Sequence, residues 1–252
     1  MICKMLVVYK ILKFKIVVPA IVIILFHSCR KENVNDDNNV NTVNYEIELD
    51  KKYRLLKITQ NILPDVFIIS YDYNDKVVNV VFTYNGTVQF SEKYFLDDRG
   101  LADSCILVSN IPSANSVTTH YKYNIDSYLI YSSAGLQSYN YLDGNRISAI
   151  DGSYGPASYV GNYYEYSSSL NYIDIEEFRG SYLGNLNKNL IARVSYKGLH
   201  AGDGKSTVYR YEINSDGLVI QRTALTTYTR DQTADQKDIT NFKYKFVEQK
   251  LH

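Results

Sequence analysis

Tyr209-Arg210-Tyr211-Glu212-Ile213-Asn214-Ser215-Asp216-Gly217-Leu218-Val219-Ile220 is the stretch that decides the fold. Tyr209-x-Tyr211 alternates at the period of two that puts aromatic side chains on one face of a strand. Asn214-Ser215-Asp216-Gly217 is a run of turn formers, and Leu218-Val219-Ile220 begins an aliphatic return strand. The unit is a β-hairpin with an aromatic arm and an aliphatic arm.

Working outward, the same unit recurs. Tyr71-x-Tyr73 runs into Asn74-Asp75 and then Val77-Val78-x-Val80-Val81-Phe82. Tyr121-x-Tyr123 leads through Asn124-Ile125-Asp126 to Tyr128-Leu129-Ile130-Tyr131. Tyr139-x-Tyr141 leads through Asp143-Gly144-Asn145 to Ile147 and Ile150. Tyr164-x-Tyr166 leads through Ser167-Ser168-Ser169 to Leu170 and Tyr172-Ile173-Asp174-Ile175, and the chain closes on Phe242-x-Tyr244-x-Phe246. The starts fit a repeat of roughly 18–25 residues with some units degenerate. Asn85-Gly86 is the sharpest turn, since it supplies the two positive φ angles of a type I′ turn.

No segment of the mature chain carries a helical period. Hairpins in series without helical crossovers make an antiparallel meander. The expected fold is therefore all-β: one large meander of about 12–16 strands, curled into a barrel-like or half-barrel sheet over residues 45–252. Residues 51–110 hold 18 Ile, Leu and Val against 5 Tyr, whereas residues 151–210 hold 11 and 9. That asymmetry predicts an aliphatic interior in the first half and a wetter second half. Four segments break the pattern and are expected to be loops: Asn110–Thr119, Asp151–Asn162, Gly180–Asn189 and Thr229–Asp238.

The hairpin around Asp216-Gly217 resembles the tyrosine-aspartate repeats of bacterial surface proteins. The arrangement over about residues 50–250 is similar to a family of secreted Gram-negative lipoproteins described only as a domain of unknown function with a porin-like fold. That resemblance implies a long, curled antiparallel sheet and brings no catalytic residues.

The N-terminus gives an address. Lys4, Lys10, Lys13 and Lys15 precede an apolar run from Ile16 to Phe26, and Ser28-Cys29 closes it. A basic region, an apolar region and a small-residue cleavage site read as a secretory signal over residues 1–28. The run is too short to span a bilayer, which takes about 20 residues. Lengthening it upstream would bury lysines at roughly 2.5–3.5 kcal/mol each. The cysteine after the cleavage point resembles the lipobox of bacterial lipoproteins, from which Phe26 and His27 depart. Residues 29–44 then form a lipidated Cys29 with an Asn/Asp-rich tether. The expected localisation is the bacterial outer membrane, anchored through acyl chains (palmitate among them) and facing periplasm or cell surface. A single acyl chain binds only marginally, but two or three anchor stably.

Composition excludes several classes. Without the four lysines of the signal, 23 basic and 27 acidic side chains remain, a net charge of about −4. No basic stripe with interleaved aromatics is present, so nucleic acid is not an expected partner. Cys105 is the one thiol left after processing, and Cys105-Ile106-Leu107-Val108 reads as a buried strand rather than a nucleophile.

Other chemical motifs dissolve on inspection. Gly202-Asp203-Gly204-Lys205-Ser206 lacks the spacing and the helix of a phosphate loop. His120, His200 and His252 have no metal-ligand spacing, so no metal and no cofactor is expected. Asn214-x-Asp216-Gly217 and Asp72-x-Asn74 lack the later bidentate glutamate of a calcium loop. Glycoside hydrolysis needs two acids about 5–10 Å apart. Asp97-Asp98 sits in a turn, and Glu176-Glu177 is adjacent in an expected strand with side chains on opposite faces.

No catalytic residue is therefore assigned, and the expected function is a non-catalytic binding or structural module for a glycan, a peptide or an envelope protein. Tyr154, Tyr159, Tyr163 and Tyr182, in or beside the irregular segments, are the candidate ligand platform, because exposed tyrosine offers a rigid amphipathic surface. Against them stands ordinary cross-strand packing of a Tyr-rich sheet. The alternative functions are an envelope hydrolase on glycans, with acids that converge only in the fold, and a membrane-embedded barrel.

Overall fold

The strands that the Tyr-x-Tyr motifs mark are all in place, and one of the expected return strands is not. The computed structural model describes residues 40–62, 64–110, 116–152, 160–175, 178–198, 204–229 and 236–247. The signal, Cys29 and most of the tether lie outside the described residues. Fifteen strands are described. They are β1 (Val40–Leu49), β2 (Leu55–Ile62), β3 (Asp65–Asn74), β4 (Val77–Tyr84), β5 (Thr87–Leu96), β6 (Ala102–Ser109), β7 (Val117–Tyr123) and β8 (Leu129–Ser132). There follow β9 (Gln137–Leu142), β10 (Asn145–Asp151), β11 (Val160–Leu170), β12 (Asn189–Lys197), β13 (Gly204–Ile213), β14 (Val219–Tyr228) and β15 (Gln236–Phe246).

Each strand pairs with the next in antiparallel register, and β15 pairs with β1 to close a barrel. The closing pair is parallel, from Val40↔Lys237 to Leu49↔Phe246. An up-and-down meander of odd strand number leaves its first and last strands pointing the same way, so closure has to be parallel. Stacking of Tyr45 on Phe242, with centroids 5.8 Å apart, and hydrogen bonds from Asn241 to Asn44 and from Asn41 to Asp238 hold that seam. The expected barrel-like meander is thus a complete barrel.

The turns follow their residues. Asn85 and Gly86, and likewise Asp143 and Gly144, have consecutive positive φ angles, as two-residue type I′ hairpins require. Four longer turns, all at one rim (here termed the turn rim), share another plan. Asp50, Asp97, Asn124 and Asn214 each accept a backbone N–H four residues on at their side-chain oxygen. The residue three positions on has positive φ in each: Tyr53, Gly100, Ser127 and Gly217. β1 starts at the opposite rim. The strands that flank residues 111–115, 153–159, 199–203 and 230–235 also meet that opposite rim. Of the expected loops, 117–119, 160–162 and 236–238 belong to β7, β11 and β15.

In four of the six motifs the second tyrosine has a shared structural role. Tyr123 donates its hydroxyl to the Ala102 carbonyl, Tyr166 to Arg146, Tyr211 to Ile191 and Tyr244 to Val219, at 2.7–2.9 Å. Each acceptor lies on the preceding strand, beside a register shift in its ladder. A bulge takes a carbonyl out of the ladder, and the tyrosine one hairpin later satisfies it from inside the barrel. The Tyr71-x-Tyr73 motif departs, because the buried Tyr73 hydroxyl has no partner among the described residues.

The expected return strand over Tyr172-Ile173-Asp174-Ile175 is replaced by an interior plug. β11 runs straight through Ser167–Ser169 to Leu170, and the chain then turns into the bore. Ile173, Ile175, Phe178, Tyr182 and Leu183 are buried with Ile47, Leu49, Ile69 and Val78 of the wall in one cluster. The Gly180–Asn189 segment is irregular as expected up to Asn189, which begins β12, with a 3-10 turn at Ser181–Leu183; it buries Tyr182, Leu183, Gly184 and Asn187 and leaves Ser181, Asn185 and Lys188 exposed. The plug is pinned by Tyr71 Oη to the Phe178 carbonyl at 2.9 Å, Asn185 N to the Ser127 carbonyl at 2.9 Å and Lys188 N to the Gly144 carbonyl at 2.9 Å. Asp174 and Arg179, both nearly buried, pair at 3.0 Å. Gly184 has φ +95°, and a Cβ there would stand 2.6 Å from the Ser127 carbonyl oxygen.

If the tyrosine hydroxyls hold the bulge carbonyls, Tyr166→Phe and Tyr211→Phe will each cost about 1–2 kcal/mol, a lost hydrogen bond plus an unsatisfied acceptor. Urea unfolding measures it, and a loss near zero for both variants would make the hydroxyls incidental.

Candidate functional site

Below the plug the barrel encloses a chamber of about 60 Å³. β5 supplies its one acid. Along Phe90-x-Glu92-x-Tyr94-x-Leu96 the inward positions alternate, and Glu92 occupies one of them. Its carboxylate accepts the Tyr94 hydroxyl at 2.7 Å, and Tyr71, Tyr121, Ser132 and Tyr139 line the same space. From the plug, Phe178, Arg179, Tyr182 and Leu183 form the roof.

Burial dominates the electrostatics. It pushes the Glu92 carboxyl up to about 7, although the Tyr94 hydrogen bond works in the opposite direction. Burial also pushes the hydroxyls of Tyr71, Tyr94 and Tyr182 well above the ordinary tyrosine range, so they stay neutral donors. Cys105, on β6 behind Tyr94, is buried, and its thiol is pushed up first by burial and then by Glu92. A thiol held protonated is not a nucleophile.

The chamber can hold a few water molecules, each of which needs roughly 10–15 Å³ measured in this way. Organic ligands occupy pockets of about 300 Å³ or more, so this interior has room for water beside the Glu92 acid but not for a sugar. Among the described residues no three His, Cys, Asp or Glu side chains converge as metal ligands. Asp97 sits in the β5–β6 turn, where Arg99 pairs with it at 2.8 Å, and Lys76 pairs with Asp98 at 2.7 Å. Glu176 and Glu177 lie outside the described residues, as do His200 and His252.

The outer wall is charged. Glu46, Lys93, Lys122, Glu165, Arg193, Arg210 and Lys243 stand exposed along the strands of the barrel. A wall in hydrocarbon needs a continuous apolar band, and each Arg or Lys at mid-depth costs about 2–4 kcal/mol.

The tyrosines singled out from sequence do not come together. Tyr163 is exposed on the outer face of β11, and Tyr182 is buried in the plug. Tyr154, Tyr159 and Cys29 lie outside the described residues. Sequence reasoning passed over Glu92, whose signal was a lone acid on an inward face otherwise made of Phe90, Tyr94 and Leu96.

No protein-family model and no curated protein matches the sequence. Among solved structures, the chain is similar to a porin-like protein from Bacteroides uniformis, with a TM-score of 0.53 at 17% identity over 76% of this chain and 84% of that one. At that identity the likeness is one of fold.

Glu92 makes stability depend on pH. The folded state keeps its proton up to about 7 while a carboxyl in the unfolded chain releases it near 4.5. Stability from this group is therefore full below about 4.5 and lost as pH rises through about 7, by roughly 3 kcal/mol. Glu92→Gln removes that fall and is the more stable protein at pH 8. Urea titrations at pH 4.5, 6 and 8 check it, and parallel pH profiles for the two proteins would refute a buried acid.

Proposed function

We propose that the chain is an envelope lipoprotein, acylated on Cys29 and held to the outer membrane through residues 29–44, whose barrel is a non-catalytic binding or structural module. One observation carries this reading: charged side chains stand along the outer wall of the barrel, and a plug fills its bore. A bore filled by a plug does not suit a pore, and a charged wall does not suit a lipid-embedded barrel. The membrane is then reached through the tether rather than through the strands. A hydrolase is the weaker reading, because the chamber is too small for a sugar and presents a single acid with a raised pKa.

The N-terminal position of Cys29 fits this arrangement. β1 begins at the rim opposite the four shared turns, so a tether leading into Val40 brings that opposite rim towards the membrane. The turn rim then faces away, into periplasm or medium.

Membrane fractionation with a palmitate label tests the anchor. Wild-type protein is expected in the outer-membrane fraction carrying label, and Cys29→Ser protein is expected unlabelled in the soluble fraction. Retention of Cys29→Ser in carbonate-washed membranes would favour an embedded barrel, and an unlabelled wild type would overturn the lipoprotein reading.

A further inference from the structure

The four shared turns are built alike except at one residue. In each, an Asx side chain and backbone close a loop in which the residue three positions after the Asx takes positive φ. That residue is Gly100, Ser127, Gly217 or Tyr53. Glycine meets such a conformation without steric cost, whereas a bulky side chain there is an outlier. Tyr53 is nonetheless held at φ +60°. Asp50 Oδ1 accepts Lys52 N at 2.8 Å and Arg54 N at 2.9 Å, Oδ2 accepts Arg54 Nε at 2.6 Å, and the Asp50 carbonyl accepts Tyr53 N at 3.0 Å. Over-determined strain of this kind points from an observed outlier towards function.

What the strain displays is an aromatic surface. Tyr53 meets Phe246 edge-on at 5.5 Å and Tyr172 at 6.5 Å, and all three rings are 40–49% exposed. Tyr172 lies against the backbone of Gly217, where an added Cβ would stand 2.7 Å from its Cε2. One ring face is thus backed by main chain. No described residue engages the Tyr53 or Tyr172 hydroxyl. Exposed Lys51 and Lys52 flank the rings on the β1–β2 turn, and exposed Ser215 and Asp216 flank them on the β13–β14 turn.

We propose that Tyr53, Tyr172 and Phe246 form a binding platform for a neutral pyranose glycan on the turn rim. Aromatic faces accept the apolar C–H face of a pyranose; the Tyr53 and Tyr172 rings, 6.5 Å apart and tilted by 31°, offer two such faces, and Phe246 buttresses Tyr53 edge-on. The fringe carries donors and acceptors of both signs, which complements hydroxyl groups and disfavours a polyanion or a polycation. Aliphatic side chains, which a docking peptide would bury, are absent from the three contact positions. The site lies on the face that points away from the membrane. The proposal rests on the reading of the barrel as a binding module and names its ligand class.

The test uses the full chain, purified from membranes in detergent, on an array of neutral polysaccharides and oligosaccharides with a peptide array beside it. Wild type is expected to bind at least one neutral glycan, and Tyr172→Ala is expected to weaken that binding at least about tenfold, as loss of an aromatic anchor does. Tyr53→Gly is the sharper variant. It removes the ring and relieves the φ, so binding falls while the melting temperature holds or rises. Tyr163→Ala, on the outer wall, leaves binding unchanged. Glycan binding indifferent to Tyr53 and Tyr172 would overturn the platform and leave the binding module standing. Peptide capture that Tyr172→Ala abolishes, without glycan binding, would overturn the ligand class alone. No binding on either array would overturn the platform together with the binding reading.

Discussion

A closed sheet of fifteen strands encloses more space than a single shell of inward side chains can fill. Barrels of about eight strands are just filled by their own residues, and those of sixteen or so leave a channel. This barrel lies near the upper end, and its interior is nevertheless apolar. Everything distinctive in it answers that constraint. The inward positions mix large rings with aliphatic side chains, and the chain between β11 and β12 folds back into the bore. The plug brings Ile173, Ile175, Phe178, Tyr182 and Leu183 into the same cluster as the wall. Without it, the apolar inward face of β1 to β6 would enclose water.

Filling a wide bore with tyrosine solves a second difficulty. A tight hairpin that leaves a twisted barrel wall bends at a bulge, and each bulge strands a carbonyl. A buried carbonyl without a partner is costly. Phenylalanine would fill the volume and leave the carbonyl orphaned. Tyrosine reaches the acceptor one hairpin back, as Tyr166 does with Arg146 and Tyr211 with Ile191. The repeat length of the sequence and the reach of the hydroxyl are then one fact, since the acceptor lies 20–25 residues earlier in every case.

That coupling explains what was legible in the sequence. Tyr-x-Tyr, a turn run and an aliphatic arm are local signals, and the hairpins they mark are present. Closure was not local: it joins β1 to β15, with Tyr45 meeting Phe242 across nearly the whole chain, and the odd strand count only fixes that pair as parallel. The plug was misleading for a physical reason. Ile173-Asp174-Ile175 alternates as a strand does, but the adjacent edge of β11 is taken by β12, so the segment had no ladder to join. Gly180–Asn189 carries the Gly and Asn of a surface loop, and only the bore could show that its Tyr182 and Leu183 are core. Glu92 was legible as an anomaly of alternation, although its acid strength is set by Tyr94, the plug and the surrounding burial, which no spacing encodes.

The division of labour that results constrains where function can reside. Interior tyrosines are committed to packing and to carbonyls, and the remaining chamber admits water. Function must therefore be carried by groups whose placement packing does not explain. Tyr182 fails that criterion, because Tyr94 lies 4.7 Å from it and the core surrounds it. Tyr53 meets it from the opposite direction: three sister turns close on glycine or serine, so the fold would be better served by a smaller residue there. A side chain kept at a position that its own backbone disfavours is a local departure from consistency, and Tyr53 differs from the other bulky cases, Leu136 and Phe178, in having three sister turns that avoid it. Tyr53 sits on the rim opposite the start of β1.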